Sequence, residues 1–251
     1  MTGKSPYFLL DREDDDMSNS DSFQASHTPF DPEKYGRSPY EIKRTEIIRD
    51  LLPDGQGARA LDVGCGPGYF SHQLSMRGWS ITAIDTDASN LEFARPFVQE
   101  ALRGDALTVL PHLQNESYRL ALALEIIEHM PEERGRNLLK ELARVLEKSG
   151  KLIISTPNKH SPEGLGGHYW SEKIRHQERW DAWDPTHVKI YSANELLALL
   201  RDTGFSIEKV TGYHYRGRLP VIGRWRLPLE ATSHAPLNRF GFNVIIECRR
   251  G

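Results

Sequence analysis

Cysteine is scarce in this chain. Its two cysteines, Cys65 and Cys248, cannot build a disulfide framework or a cysteine-only zinc site. Long apolar runs are missing as well. The longest, around Leu120 to Ile127, is interrupted by Glu125 and falls well short of the roughly 20 residues a membrane-spanning helix needs. The opening residues lack a basic start followed by an apolar stretch, so no secretory signal is apparent. No segment repeats. The net charge of −3 is too small to imply bulk nucleic-acid binding. Together these absences predict a cytoplasmic protein in a reducing compartment, without a transmembrane segment.

What is present suffices for a core. Of 251 residues, 38% are hydrophobic and 27% charged, which suits one sizeable α/β domain. Charge is unevenly placed. Residues 1–34 hold eight acids and three bases, with the run Asp11-Arg12-Glu13-Asp14-Asp15-Asp16 at their centre. Few apolar residues accompany them, so residues 1–30 read as a disordered acidic tail, and Met17 within it leaves the natural start open between Met1 and Met17. Residues 213–251 hold seven arginines and two glutamates. Arg216, Arg218, Arg224 and Arg226 surround Trp225, a pattern that suits a solvated loop and also a phosphate or an anionic membrane surface.

From residue 31 onward the pattern is that of a single domain. Apolar residues recur at helical spacing from Tyr40 to Leu52. Strands and helices then alternate. Strands are expected at Ala60–Val63, Ser80–Ile84, weakly before Gly104, at Leu120–Leu124, Lys151–Ser155, Phe205–Thr211 and Phe242–Cys248. Helices are expected at Tyr69–Arg77, Asn90–Glu100 with Pro96 inside it, Asn137–Glu147, and after the capping box Ser192-Ala193-Asn194-Glu195. Such alternation implies a mostly parallel sheet with helices on both faces. The last two strands lack a helical connector, so they are expected to pair antiparallel at one edge. Ligands of such sheets bind at the carboxyl ends of the strands.

The residues after the strands are therefore the informative ones. Asp62-Val63-Gly64-Cys65-Gly66-Pro67-Gly68 lies between strand and helix, and its glycines permit positive φ and a close backbone approach. A dinucleotide fingerprint needs a further glycine where Tyr69 stands, which disfavours a nicotinamide dehydrogenase. Asp85 ends the second strand, where an acid accepts ribose hydroxyls. Gly104-Asp105-Ala106 follows the third, where a carboxylate reaches an adenine amino group. Glu125-Ile126-Ile127-Glu128-His129 follows the fourth. If a helical turn begins there, Glu125, Glu128 and His129 share a face and form a half-site for Mg²⁺ or another divalent metal. Asp184-Pro185-Thr186-His187 offers a further ligand.

In this ordered set the sequence resembles the class I S-adenosylmethionine-dependent methyltransferases, over about residues 55–211. Leu61 to Gly68 matches their first motif, Asp85 the ribose-binding acid and Asp105 the adenine-contacting one; Tyr118-Arg119 departs from an aromatic-Asp pair usual in the family. The resemblance implies a Rossmann-like, doubly wound sheet of seven strands. It implies S-adenosyl-L-methionine as cofactor, held by Asp62, Gly64, Cys65, Gly66, Gly68, Asp85, Asp105, Ala106 and Glu125. The pattern Glu125-x-x-Glu128-His129, followed by Ser155-Thr156-Pro157-Asn158, is similar to the ubiquinone-biosynthesis O-methyltransferase branch. It is similar also to methyltransferases of small-RNA 3′ ends, which implies Glu125, Glu128, His129 and His187 as metal ligands. His129 and Glu128 are the expected catalytic pair, with or without metal.

Residues 156–191 make an insertion long enough for a lid or substrate segment, with His160, His168, Tyr169, Trp170, His176, Trp180 and Trp183. Aromatic residues there suit a small-molecule or glycan-like acceptor. The function read from the chain is O-methylation of such an acceptor, with nucleic acid not expected as partner. Two alternatives stay open: 2′-O-methylation at an RNA 3′ end, and a non-catalytic cofactor-binding partner subunit.

Overall fold

The computed structural model describes residues 39–168, 184–214, 216–219, 223–226 and 231–251. The expected acidic tail at 1–30, and the centre of the insertion with Tyr169, Trp170, His176, Trp180 and Trp183, lie outside these residues.

The chain enters through α1 (Pro39–Leu51) and then alternates β1 (Arg59–Val63), α2 (Tyr69–Ser75), β2 (Ser80–Asp85), α3 (Ala88–Ala94), β3 (Glu100–Arg103), α4 (Ala106–Val109), β4 (Tyr118–Leu124), α5 (Glu132–Val145) and β5 (Leu146–Pro157). α6 (Pro162–His168) opens the insertion. α7 (Ala193–Asp202) and β6 (Phe205–Tyr213) follow it. A two-stranded ribbon of β7 (Arg216–Leu219) and β8 (Gly223–Arg226), the short β9 (Ala231–Thr232) and β10 (Asn243–Arg250) close the chain.

Eight strands form the main sheet in the order β3-β2-β1-β4-β5-β10-β6-β9. β1 to β5 are parallel neighbours, and β10 runs antiparallel to both β5 and β6. The last two long strands pair antiparallel near one edge, as their missing connector implies, with β10 inserted between β5 and β6. The eighth strand is β9, two residues that pair antiparallel with Gly212 and Tyr213. It is too short for a periodic signal, which is why the sequence shows seven. Among the described residues β7 and β8 pair only with each other; the side chains of their arginines are outside the description.

The central strands are buried on both faces, whereas the edge strand β3 is not. On one face Leu61, Val63, Ala121, Ala123, Leu152 and Ile154 pack with Leu138, Leu139 and Leu142 of α5 and Leu196, Leu197 and Leu200 of α7. Alternate residues Ala60, Leu120, Leu122 and Ile153 point the other way, against Ile48 of α1 and Phe70 and Leu74 of α2. Helices therefore cover both faces and leave the strand ends for a ligand.

Some boundaries move. The helix expected over Asn90–Glu100 runs from Ala88 to Ala94, breaks into a 3₁₀ turn at Arg95–Phe97 around Pro96, and gives way to β3. Proline has no N–H to continue the ladder, and Asp87 caps the start by accepting from Ser89 N. α5 begins at Glu132, six residues before its first buried leucine pair, because Pro131 stands where the first turn needs no backbone donor. The capping box at Ser192 and Glu195 is formed.

Candidate active site

The loop after β1 bends through three glycines with φ of 68°, 52° and 86° at Gly64, Gly66 and Gly68. Gly68 is doubly constrained: a Cβ there would stand 2.7 Å from Ala94 of α3. At Gly66 a Cβ would meet nothing within 4 Å, so the bare backbone faces open space. The loop is held from β2. The amides of Gly64 and Cys65 both donate to Ile84 O, at 2.8 and 3.1 Å, and Gly66 N donates to Asp85 Oδ2 at 2.8 Å. Asp85 Oδ1 accepts from Asp87 N and Asn90 Nδ2. The acid expected for ribose thus also anchors the glycine loop.

Asp62 is buried beneath this loop and accepts from Ser71 Oγ at 2.7 Å. Burial, and to a smaller degree the Asp85 charge, pushes its carboxyl up to about 6 despite the Ser71 bond. Cys65 is buried and donates to Gly66 O; burial pushes its thiol well up, so it is not a nucleophile. Ala106 is a core residue. Asp105 caps α4 by accepting from Leu107 N at 2.9 Å, and its other oxygen pairs with Arg134 Nη2 at 2.6 Å. Both partners are half exposed, so the pair itself contributes little to stability.

Beyond β4 the expected helical face is absent. Glu125 has φ of 54° and Ile126 lies outside the 3₁₀ turn that spans Ile127–His129. The i, i+3, i+4 argument therefore fails for Glu125, whose carboxylate is drawn toward Ser155 and Asn243 instead. The remaining three residues do meet. One ligand atom each from Glu128, His129 and His187 lies within 4.8 Å of the others. The backbone brings them together: Val188 N and Lys189 N both donate to Glu128 O, at 2.7 and 2.9 Å. The two imidazoles stand 4.9 Å apart by ring centroids.

Glu128 is fully buried. Its Oε2 accepts from Thr156 Oγ1 at 3.0 Å, whereas Oε1 has no hydrogen-bond partner among the described residues. Burial, with the Glu125 charge second, raises its carboxyl well above the ordinary range. Such an orphaned oxygen is costly unless something compensates it. His129 is lowered by burial and then by His187, so it is neutral near pH 7. Thr186 Oγ1 lies 3.1 Å from His129 Nδ1 and donates to Asp184 Oδ1 at 2.6 Å. Desolvation opposes ionisation of Asp184, but the Thr186 bonds outweigh it and lower its carboxyl. One carboxyl group and two imidazoles around an unsatisfied buried oxygen suit a divalent transition-type ion.

The sequence reading missed the residues that organise this end of the sheet. Ser71 and Asn243 carry no motif of their own, and Thr186 was visible within Asp184-Pro185-Thr186-His187, but not its task. Asn158 was visible within Ser155-Thr156-Pro157-Asn158, but not its task. Fully buried, it accepts from His160 N and Ala193 N and donates to Arg239 O and Gly241 O. It joins the end of β5, the start of α7 and the approach to β10.

The fold and this loop define a class I S-adenosylmethionine-dependent methyltransferase, an enzyme. Residues 37–210 match the model of a methyltransferase domain family, and the chain belongs to that family. It is 30% identical over 177 residues to the ubiquinone biosynthesis O-methyltransferase of Rickettsia bellii strain OSU 85-389, covering 68% of this chain and 70% of that protein. A namesake from Leptothrix cholodnii is 24% identical over 235 residues, 90% of this chain and 93% of that one. In fold, an S-adenosylmethionine-dependent methyltransferase of Archaeoglobus fulgidus superposes with a TM-score of 0.61 at 19% identity, over 87% of this chain and 97% of the other. One from Thermotoga maritima does so with 0.58 at 24% identity, over 84% and 89%. Among the described residues no helix is long and apolar enough to cross a membrane.

Proposed function

We propose that this enzyme methylates a hydroxyl oxygen of a small-molecule or glycan-like acceptor, with a divalent cation held by Glu128, His129 and His187. The observation that carries the reading is the convergence of those three side chains at the strand ends, beside the glycine loop. The names of the relatives point to the same reaction.

In the transfer, the acceptor oxygen bonds to the methyl carbon as the carbon–sulfur bond breaks. S-adenosylhomocysteine leaves, and the hydroxyl proton must go to a base. Gly66 offers a backbone approach for the donor, Asp85 its remaining lone pairs for ribose, and Asp105 the edge that reaches adenine. Ordering donor and acceptor in line contributes several kcal/mol, on the order of what well-oriented intramolecular reactions gain. His129, neutral and oriented through Thr186, is the group that takes the proton or binds the cation. A divalent cation there would act as a Lewis acid, lowering the pKa of the acceptor hydroxyl.

The test is methyl transfer to a panel of catechols, phenols and sugars, with product mass and position determined. O-methyl products that vanish in EDTA and return with Mn²⁺ or Mg²⁺ support the reading. Full activity in chelator rejects the cation, and N-methyl products reject the oxygen acceptor. Transfer to an RNA 3′ end, with a steep loss of binding as salt rises, would move the acceptor to nucleic acid.

A further inference from the structure

Arg134 stands where its own helix does not call for a cation. It is the third residue of α5, and the positive end of the helix dipole disfavours a guanidinium there. Its partner comes from another element. Arg134 Nη2 donates to Asp105 Oδ2 at 2.6 Å, across 29 positions, and among the described residues no other carboxylate pairs with it. Both side chains are 47% exposed, so solvent screens the pair and stability does not account for it.

Asp105 is held from three directions. Gly104 N donates to Asp85 O at 2.9 Å, which ties the turn after β3 to the end of β2. Leu107 N of α4 donates to Asp105 Oδ1 at 2.9 Å, and Arg134 of α5 takes Oδ2. Each carboxylate oxygen is thus gripped by a different helix, and the plane of the group is fixed. An ionised carboxylate offers about four lone-pair sites, so these two bonds leave capacity on both oxygens. The half-exposed side chain keeps that capacity within reach of a ligand. Asp85, whose carbonyl receives Gly104, also holds the glycine loop through Gly66 N. The acids suited to ribose and to purine are therefore joined through one backbone bond.

We propose that Arg134 is a positioning residue of the purine subsite: by pairing with Oδ2 it orients the Asp105 carboxylate toward the amino group of adenine and so sharpens the preference for an aminopurine donor. This rests on the methyl-transfer reading above and on its donor. A carboxylate ordered before the ligand arrives need not be ordered on binding, and that saving falls only to a ligand that uses it. An acceptor-only group rewards an amino group at this place and gives nothing to a purine without one.

Two ligands of equal charge test this without knowledge of the acceptor: S-adenosylhomocysteine, and its analogue with hydrogen in place of the purine 6-amino group. Calorimetry gives both affinities. Their ratio isolates the amino group, because a change in the field around the site moves both alike. Wild type should prefer the amino compound about tenfold, the scale of a hydrogen bond to a charged acceptor. Asp105→Ala should abolish the preference. Arg134→Met should lower it about threefold, the scale of ordering one side chain, and leave affinity for the deamino analogue within about twofold. Added to Asp105→Ala, Arg134→Met should change the ratio no further. Binding of the deamino analogue reports the folded state, and Arg134→Ala gives the same reading should Arg134→Met not fold. A ratio that holds or rises in the Arg134 variants overturns the proposal and leaves the methyl-transfer reading standing. A fall of the same size in the Asp105→Ala background overturns the route through Asp105. Wild-type protein that binds the two ligands equally overturns the purine role of Asp105, and the proposal with it. Wild-type protein that binds neither overturns the methyl-transfer reading itself.

Discussion

The Asp85 carboxylate accepts a hydrogen bond from the Gly66 amide at 2.8 Å, so the acid that ends β2 holds the loop that follows β1. One side chain thereby links the shape of the glycine loop to the place where ribose is expected. Asp85→Ala should weaken S-adenosylhomocysteine binding by about 1–3 kcal/mol, the cost of lost charged hydrogen bonds. Asp85→Asn, whose side-chain oxygen still accepts from Gly66, should lose less. Calorimetric affinities that rank the two variants equally contradict the dual role.

Gly66 and Gly68 separate strain from steric conflict. Gly68→Ala places a Cβ 2.7 Å from Ala94 at a φ of 86°, so it should lower unfolding free energy by about 2–4 kcal/mol. Gly66→Ala meets no neighbour and carries only the left-handed penalty, about 1–2 kcal/mol. Its larger effect should fall on cofactor affinity, since the methyl group projects into the open space above the loop. Urea unfolding and calorimetry of the two variants report both effects.

Asp62 makes stability depend on pH. Its carboxyl is raised from 3.8 to about 6 in the folded protein, so the native state binds the extra proton between those values. Stability from this group is then largest below about pH 4 and is lost as pH rises through about 6. The loss is on the order of 3 kcal/mol. Asp62→Asn should remove that slope and leave the protein more stable than wild type at pH 7 to 8. Unfolding free energies across pH 4 to 8 test this; parallel curves for the two proteins refute it.

The metal reading has a direct spectroscopic check. Co²⁺ added to the protein should give visible absorption bands that Glu128→Gln, His129→Ala and His187→Ala each weaken and Glu125→Gln leaves in place. Bands lost only with Glu125→Gln would restore the helical-face arrangement and displace the observed cluster. His129→Ala should also lower turnover by about 10²-fold or more while sparing donor affinity.

Asn158 offers a test of the scaffold alone. It makes four side-chain hydrogen bonds in a fully buried position, so Asn158→Ala should cost about 3–5 kcal/mol and lower the melting temperature by many degrees. A loss below about 1 kcal/mol would show that water replaces the side chain.

Local chemistry is written in consecutive residues, and that part of this protein was legible in advance. The glycines after β1, the acids at Asp85 and Asp105, the capping box before α7 and the alternation of strands and helices each depend on neighbours a few positions apart. What needed the folded chain were the long-range meetings. The placement of β10 between β5 and β6 depends on pairing across almost a hundred residues. His187 reaches Glu128 and His129 because two backbone amides dock on the Glu128 carbonyl, and no local pattern encodes that contact. Glu125 left the expected helical face because its backbone turned left-handed and its carboxylate found Ser155 and Asn243, partners 30 and 118 positions away. Spacing along a chain determines which side chains share a face only where the backbone is regular, and at the ends of strands the tertiary contacts decide.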